Sequence, residues 1–153
     1  PGFIEPGSSI DEMVLNIDVA PTMLDLAGAE TPDWMDGRSF LPLLSGVNIS
    51  DWRDEFVYEY YWEHPFPHTP TVYALRGDRY KYMFYHGVWD SNELYDLELD
   101  PEERQNLIDS PDHRERVENM RTRLFDLLAA DDAVDVEFRP PGGWQADERL
   151  KHE

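Results

Sequence analysis

Apolar and polar positions alternate in two different rhythms along this chain. Up to about residue 47 apolar residues recur at helical spacing between Pro/Gly breaks, from Glu55 to Leu97 they alternate in twos with many aromatics, and after Ser110 the helical period returns. The first 15 residues read as a loop, with Pro1-Gly2 and Pro6-Gly7 bracketing Phe3-Ile4, leading into a short strand at Met13-Val14-Leu15. A helix is predicted from Asp18, whose carboxylate is placed to cap free amides, with Pro21 tolerated in its first turn. Val19, Met23, Leu24 and Ala27 make its apolar face, and Gly28 ends it at the left-handed position. Residues 36–44 read as a turn and a short helix closed by Ser45-Gly46.

The alternating part predicts strands at Glu55–Trp62, Thr71–Arg76, Arg79–Tyr85 and Glu93–Leu97. Gly77-Asp78 is placed as a two-residue hairpin turn with Gly first. Residues 63–70 hold three prolines and two histidines, which makes a stiff, extended connection, and residues 86–92 form a loop carrying Trp89. Asp100-Pro101-Glu102-Glu103 reads as a cap and first turn. A long helix follows, with Ser110 as cap, Pro111 at its first position and a stripe of Val117, Met120, Leu124, Leu127 and Leu128 to pack across the sheet. Beyond Asp132 the chain turns polar and Gly/Pro-rich, as in a tail or an arm lying on a neighbour.

The pattern therefore implies an α+β fold, a small antiparallel four-stranded sheet packed on one long helix. It also divides the chain into residues 1–47, 48–132 and a polar tail, 133–153. The first segment makes apolar helix faces with nothing of its own to cover them, so a partner domain upstream is expected. The start at Pro1, without Met, is read as truncated or processed.

Composition narrows the function classes. An apolar fraction of 41% with 13% aromatics suits a folded chain. A net charge of −20 argues against nucleic acid, since phosphate binding needs a basic face. Such acidity keeps a protein hydrated and suits salty surroundings. No run reaches the ~18 apolar residues of a membrane span, and no signal segment is visible. The absence of cysteine removes disulfides and thiolate metal sites.

Candidate chemistry is sparse. Glu63-His64-Pro65-Phe66-Pro67-His68 brings two imidazoles near a carboxylate, and neutral imidazole is a good zinc ligand. Their spacing, with two prolines between, cannot share a helix face; a polar ligand-facing loop, a plain surface loop and a metal site all stay open. A rigid loop suits recognition, because it loses little entropy on binding. Asp96, Glu98 and Asp100 have the 1-3-5 spacing of a calcium loop, but Pro101 stands where Gly is needed and Leu107 where Glu is needed. Arg76-Gly77-Asp78 is an adhesion tripeptide by letters and a hairpin turn by context. No Ser sits in a Gly-x-Ser-x-Gly elbow, so nucleophilic catalysis has no support on these residues.

Several segments, in order, resemble the carboxyl-terminal part of the formylglycine-dependent sulfatases. They are Pro1 to Gly7, Asn16-Ile17-Asp18-Val19-Ala20-Pro21-Thr22, Leu24 to Gly28, Asp36-Gly37-Arg38-Ser39-Phe40-Leu41-Pro42-Leu43-Leu44, Tyr58 to Trp62, Leu75 to Tyr82 and Asn92 to Leu107. The pattern is most similar to the branch of N-acetylglucosamine-6-sulfatases and N-sulfoglucosamine sulfohydrolases. The resemblance implies that residues 1–47 are the tail of an alkaline-phosphatase-like α/β catalytic domain and that residues 48–132 are the carboxyl-terminal subdomain. It implies hydrolysis of sulfate esters of sugars, with calcium and formylglycine supplied upstream of Pro1 and no catalytic or metal residue here. The chain carries no Cys/Ser-x-Pro-x-Arg motif. By position, His64, His68 and Trp89 are the residues placed to hold the sugar at the pocket rim. The partners implied are a sulfated sugar or polysaccharide and the upstream catalytic domain, in the periplasm or outside the cell. Two other readings stand beside it: a stand-alone acidic carbohydrate-binding or structural module without catalysis, and a calcium-dependent adhesion domain suggested by acidity alone.

Overall fold

A computed structural model describes residues 4–62, 68–86 and 91–130. The chain divides into two compact units, Pro1–Asp54 and Glu55–Glu153.

The first unit is built on polar contacts around one buried carboxylate. A 3-10 turn, Asn16–Asp18, runs into helix α1, Val19–Leu26, and a second short helix, α2, spans Leu41–Leu44. Asp18 does not cap α1 as the sequence suggests. Its backbone is already helical (φ −80°, ψ −15°), and its side chain accepts the N–H groups of Leu15 (2.7 Å) and Arg38 (2.8 Å) together with the Arg53 guanidinium. The strand expected at Met13–Leu15 is absent for the same reason: the Leu15 N–H goes to Asp18 and the Met13 carbonyl accepts the Trp52 indole N–H at 2.9 Å. Side chains thus satisfy backbone groups that a neighbouring strand would otherwise take. Thr22 ties the two segments, donating to the Asp18 carbonyl (2.7 Å) and accepting from the Phe40 N–H (3.1 Å).

Gly28 ends α1 at φ +69°, and the Ala29 N–H reaches back to the Leu24 carbonyl at 2.9 Å, as predicted for a left-handed helix end. Val19 and Met23, from the predicted apolar face, remain exposed, together with Ile17, Leu26 and Trp34. Gly37 is needed for space: an added Cβ would stand 2.1 Å from the Ile17 carbonyl oxygen.

The second unit is the predicted sheet and helix. Strands β1 (Glu55–Tyr60), β2 (Thr71–Gly77), β3 (Tyr80–His86) and β4 (Glu93–Asp96) pair antiparallel in chain order. Val57 lies opposite Leu75, Leu75 opposite Tyr82, and Tyr82 opposite Leu94, one apolar row across the sheet. Helix α3, Arg114–Ala130, covers that row with Met120, Leu124 and Leu128, while Val117 and Leu127 pack half-buried beside them. Its interior has neither Gly nor Pro, and each buried leucine contributes ~1.5–3 kcal/mol by leaving water.

Several boundaries differ from the sequence reading. β1 stops at Tyr60, because the Trp62 N–H donates to the Thr71 hydroxyl (2.9 Å) and leaves the ladder. The hairpin turn is Asp78-Arg79; Gly77 stays in β2 opposite Glu55 and does not use a left-handed conformation. Asp100–Glu103 is a turn, with Glu103 at φ +55°, and the Asp100 carboxylate accepts the Gln105 N–H at 2.8 Å. Asn106-Leu107 then pairs back on β4: the Leu94 N–H donates to the Asn106 side chain (3.0 Å) and the Leu107 N–H to the Leu94 carbonyl (2.8 Å). Finally, a 3-10 turn at Pro111–His113 precedes α3, and the Ser110 hydroxyl bonds the His113 Nδ1 (3.0 Å) instead of capping. The predicted tail beyond Asp132 lies outside the described residues.

Candidate functional site

Antiparallel pairing in chain order sends the β1–β2 and β3–β4 connections to one end of the sheet, where Tyr60 faces Val72 and Thr71 faces His86. Those are the connections that contain the predicted His64, His68 and Trp89. His68 lies in an exposed turn before β2, whereas His64 and Trp89 lie outside the described residues. The described residues therefore do not bring the three together.

They do assemble an aromatic floor at that end, on the helix side of the sheet. His86 stands edge-on to Tyr73 and to Phe84, each at 4.9 Å between ring centres. Phe84 in turn meets Phe125 of α3 at 5.2 Å, and Tyr61 meets Tyr73 at 6.1 Å. Edge-to-face geometry is the favoured arrangement for such pairs and fixes the rings relative to one another. The sequence reading passed over His86. Its signal was parity: two and four residues after Phe84 and Tyr82, it falls on the helix-facing side at the last position of β3.

The electrostatics of this end favour neutral groups. Burial pushes the His86 imidazole below its ordinary value, so it is uncharged at neutral pH. The hydrogen bond to Glu59, then burial, pushes the Tyr61 phenol up to about 12. Burial also raises Tyr73, whose buried hydroxyl has no hydrogen-bond partner among the described residues. Neutral donors and ring edges of this kind can hold a polar ligand by hydrogen bonds and stacking. They offer no activated nucleophile.

The opposite end of the sheet is charged. Arg79 grips Asp96 through two nitrogens, Nε to Oδ1 at 3.0 Å and Nη2 to Oδ2 at 2.6 Å, and also reaches Glu98. The Arg79 hydrogen bonds outweigh the cost of burial and hold the Asp96 carboxyl at about 2. Among the described residues no group of three His, Asp or Glu side chains could hold a metal ion. The sequence holds no Cys/Ser-x-Pro-x-Arg motif either, and no catalytic step is assigned to the described residues.

Residues 1–130 match the family model described as N-sulphoglucosamine sulphohydrolase, C-terminal. The chain belongs to this family. An N-acetylglucosamine-6-O-sulfatase of Bacteroides thetaiotaomicron is 32% identical over 127 residues, which cover 81% of this chain and 23% of that protein. A solved structure holding its substrate, D-glucosamine-2-N,6-O-disulfate, superposes with a TM-score of 0.67 at 29% identity, over 78% of this chain and 24% of that one. A solved 2-O glycosaminoglycan sulfatase reaches a TM-score of 0.73 at 30% identity, over 90% of this chain and 30% of its own. The chain thus spans about a quarter of the length of the relatives it matches. This sulfatase family chain carries a net charge of −20, and no described helix is long and apolar enough to cross a membrane.

Proposed function

We propose that this chain is the carboxyl-terminal part of a sulfatase that hydrolyses sulfate esters of sugars. The observation that carries the reading is the family match over residues 1–130, among relatives that include a sulfatase solved with a disulfated glucosamine. Calcium and formylglycine would then be held by residues outside this chain, and the chain's own task is packing and recognition. The exposed Val19 and Met23 of α1 supply apolar surface for an upstream catalytic domain. The rings of Tyr73, Phe84 and His86 lie at the end of the sheet where β1 and β3 finish, and the reading gives His64, His68 and Trp89 the task of holding the sugar. Uncharged His86 fits that task, because a neutral hydrogen-bonding group does not demand a counter-ion in a partly buried site. The protein would act in the periplasm or outside the cell, where sulfated polysaccharide is met.

The test is sulfate release by the protein made from the complete gene, with N-acetylglucosamine 6-sulfate and with 4-nitrophenyl sulfate. Turnover of both supports the reading. Binding of sulfated sugar with no release of sulfate would favour the stand-alone carbohydrate-binding module instead. The 153-residue chain by itself should release no sulfate, and release above a heat-killed control would overturn the assignment of catalysis to residues elsewhere.

A further inference from the structure

Three of the arginines in this acidic chain line one open groove, of about 440 Å³, between α3 and the β2–β3 turn. Two of them are already engaged. Arg79 is held by Asp96 and Glu98, and Arg123 pairs with Glu55 at 2.6 Å. Arg116 has no carboxylate within ion-pair distance among the described residues. Its guanidinium lies 4.6 Å from the centre of the Tyr80 ring, and Arg79 lies 5.1 Å from the same ring. Two guanidiniums therefore contact one aromatic ring, and of the two Arg116 is the one whose charge no described carboxylate offsets at ion-pair distance. Arg116 offers a planar fork of donors matched to an oxyanion, and the Asn119 amide, one turn further along α3, offers donor and acceptor to a hydroxyl. Asp78 on the rim opposes any anion and sets a limit on affinity.

We propose that this groove binds a sulfate group carried on a sugar, with Arg116 as the main ligand and Asn119 contacting the sugar itself. The choice of a sugar as carrier rests on the sulfatase reading above; the anion site rests on Arg116 and the groove it lines. The volume suits one or two sugar rings. A long polyanion is disfavoured, because a chain of net charge −20 repels it beyond the groove.

The experiment is a nuclear magnetic resonance titration of the 153-residue chain at low salt with glucosamine 6-sulfate, unsulfated glucosamine and sodium sulfate. The expected result is saturable shifts at Arg116, Asn119 and Asp78 with the sulfated sugar, at concentrations where the other two compounds give weaker binding. Arg116→Ala, on the exposed side of α3, should weaken binding about tenfold or more with an unchanged circular dichroism spectrum, the loss expected for one charge-assisted contact. Asp78→Asn should tighten it. Equal binding of free sulfate would overturn the sugar as carrier, and binding unchanged in Arg116→Ala, or no saturable shift at the groove, would overturn the site. Sulfate release by the complete protein is read separately, so loss of groove binding with turnover intact refutes this inference and leaves the sulfatase reading standing.

Discussion

Arg53 closes on Asp18 across 35 residues of sequence, its Nη2 standing 2.8 Å from the Asp18 Oδ1. Burial alone would raise the Asp18 carboxyl. The Arg53 guanidinium and the Arg38 and Leu15 N–H groups more than reverse this, and hold it below the usual carboxylate range. Asp18 is fully buried and Arg53 partly so, and both Arg53 and Arg38 lay their guanidiniums over Trp52, at 5.1 and 5.0 Å. One carboxylate thus joins the start of α1, the segment before α2 and the end of the first unit.

Removing one partner of that pair leaves a buried charge with its remaining hydrogen bonds strained. Arg53→Ala should destabilise the first unit by about 3–5 kcal/mol. Hydrogen exchange should accelerate at Leu15, Asp18 and Arg38 and stay slow in β2 and β3. Unchanged exchange at Arg38 would show that the backbone donors suffice.

Gly37→Ala places a methyl group against backbone, not against a movable side chain, at the Ile17 carbonyl. A cost of about 1–3 kcal/mol follows from forced backbone movement. Differential scanning calorimetry checks it, and a variant as stable as the parent would mean that the Ile17–Asp18 turn shifts freely.

The Arg79–Asp96 grip makes stability depend on acid. The folded Asp96 carboxyl lies at about 2, below its ordinary 3.8. A depressed carboxyl contributes its full share above the unfolded value, and that share is lost as pH falls from about 4 towards 2. Urea midpoints across that window should fall with acid, and fall less steeply in Arg79→Gln. Parallel curves for parent and variant would remove Asp96 as the cause.

Leu124 is fully buried among Tyr82, Leu94, Met120 and Leu128. Leu124→Ala should cost about 2–5 kcal/mol, by lost burial and the cavity left behind. A loss below ~1 kcal/mol in urea unfolding would mean that α3 settles into the gap.

In the complete protein, His68→Ala should lower kcat/KM for a sugar sulfate by roughly tenfold, the ~1.4 kcal/mol of one hydrogen bond, and change turnover of an aryl sulfate much less. Equal losses on both substrates would assign His68 to folding or chemistry and not to recognition.

Period and punctuation were enough to read the α+β class, the four antiparallel strands, the stripe of α3 and the left-handed end of α1 at Gly28. These are local properties: alternation by two, recurrence by three and four, and a residue that alone tolerates positive φ without strain. The same local reading misplaced Asp18, Met13–Leu15 and Asp100–Glu103. In each, a side chain distant in sequence, or folded back on its own turn, took the backbone groups that a cap, strand or helix would have used.

Candidate site residues were legible only as residue types. The prolines and histidines of 63–70 and the tryptophan at 89 announced polar, aromatic connections, and the chain-order sheet puts both connections at one end. Parity alone put His86 on the face of Tyr82 and Phe84, but its ring contacts came only once register set it beside Tyr73 and α3 brought Phe125 against Phe84. The arginine groove arose in the same way, from Tyr80 and Arg116, 36 positions apart and brought to 4.6 Å by the packing of α3 on the sheet. The four strands and the long helix could be read from the chain alone, because backbone preference and apolar periodicity act over a few residues. Which charges and rings meet was decided by tertiary structure, because an ion pair or a ring contact depends on distances that only packing sets.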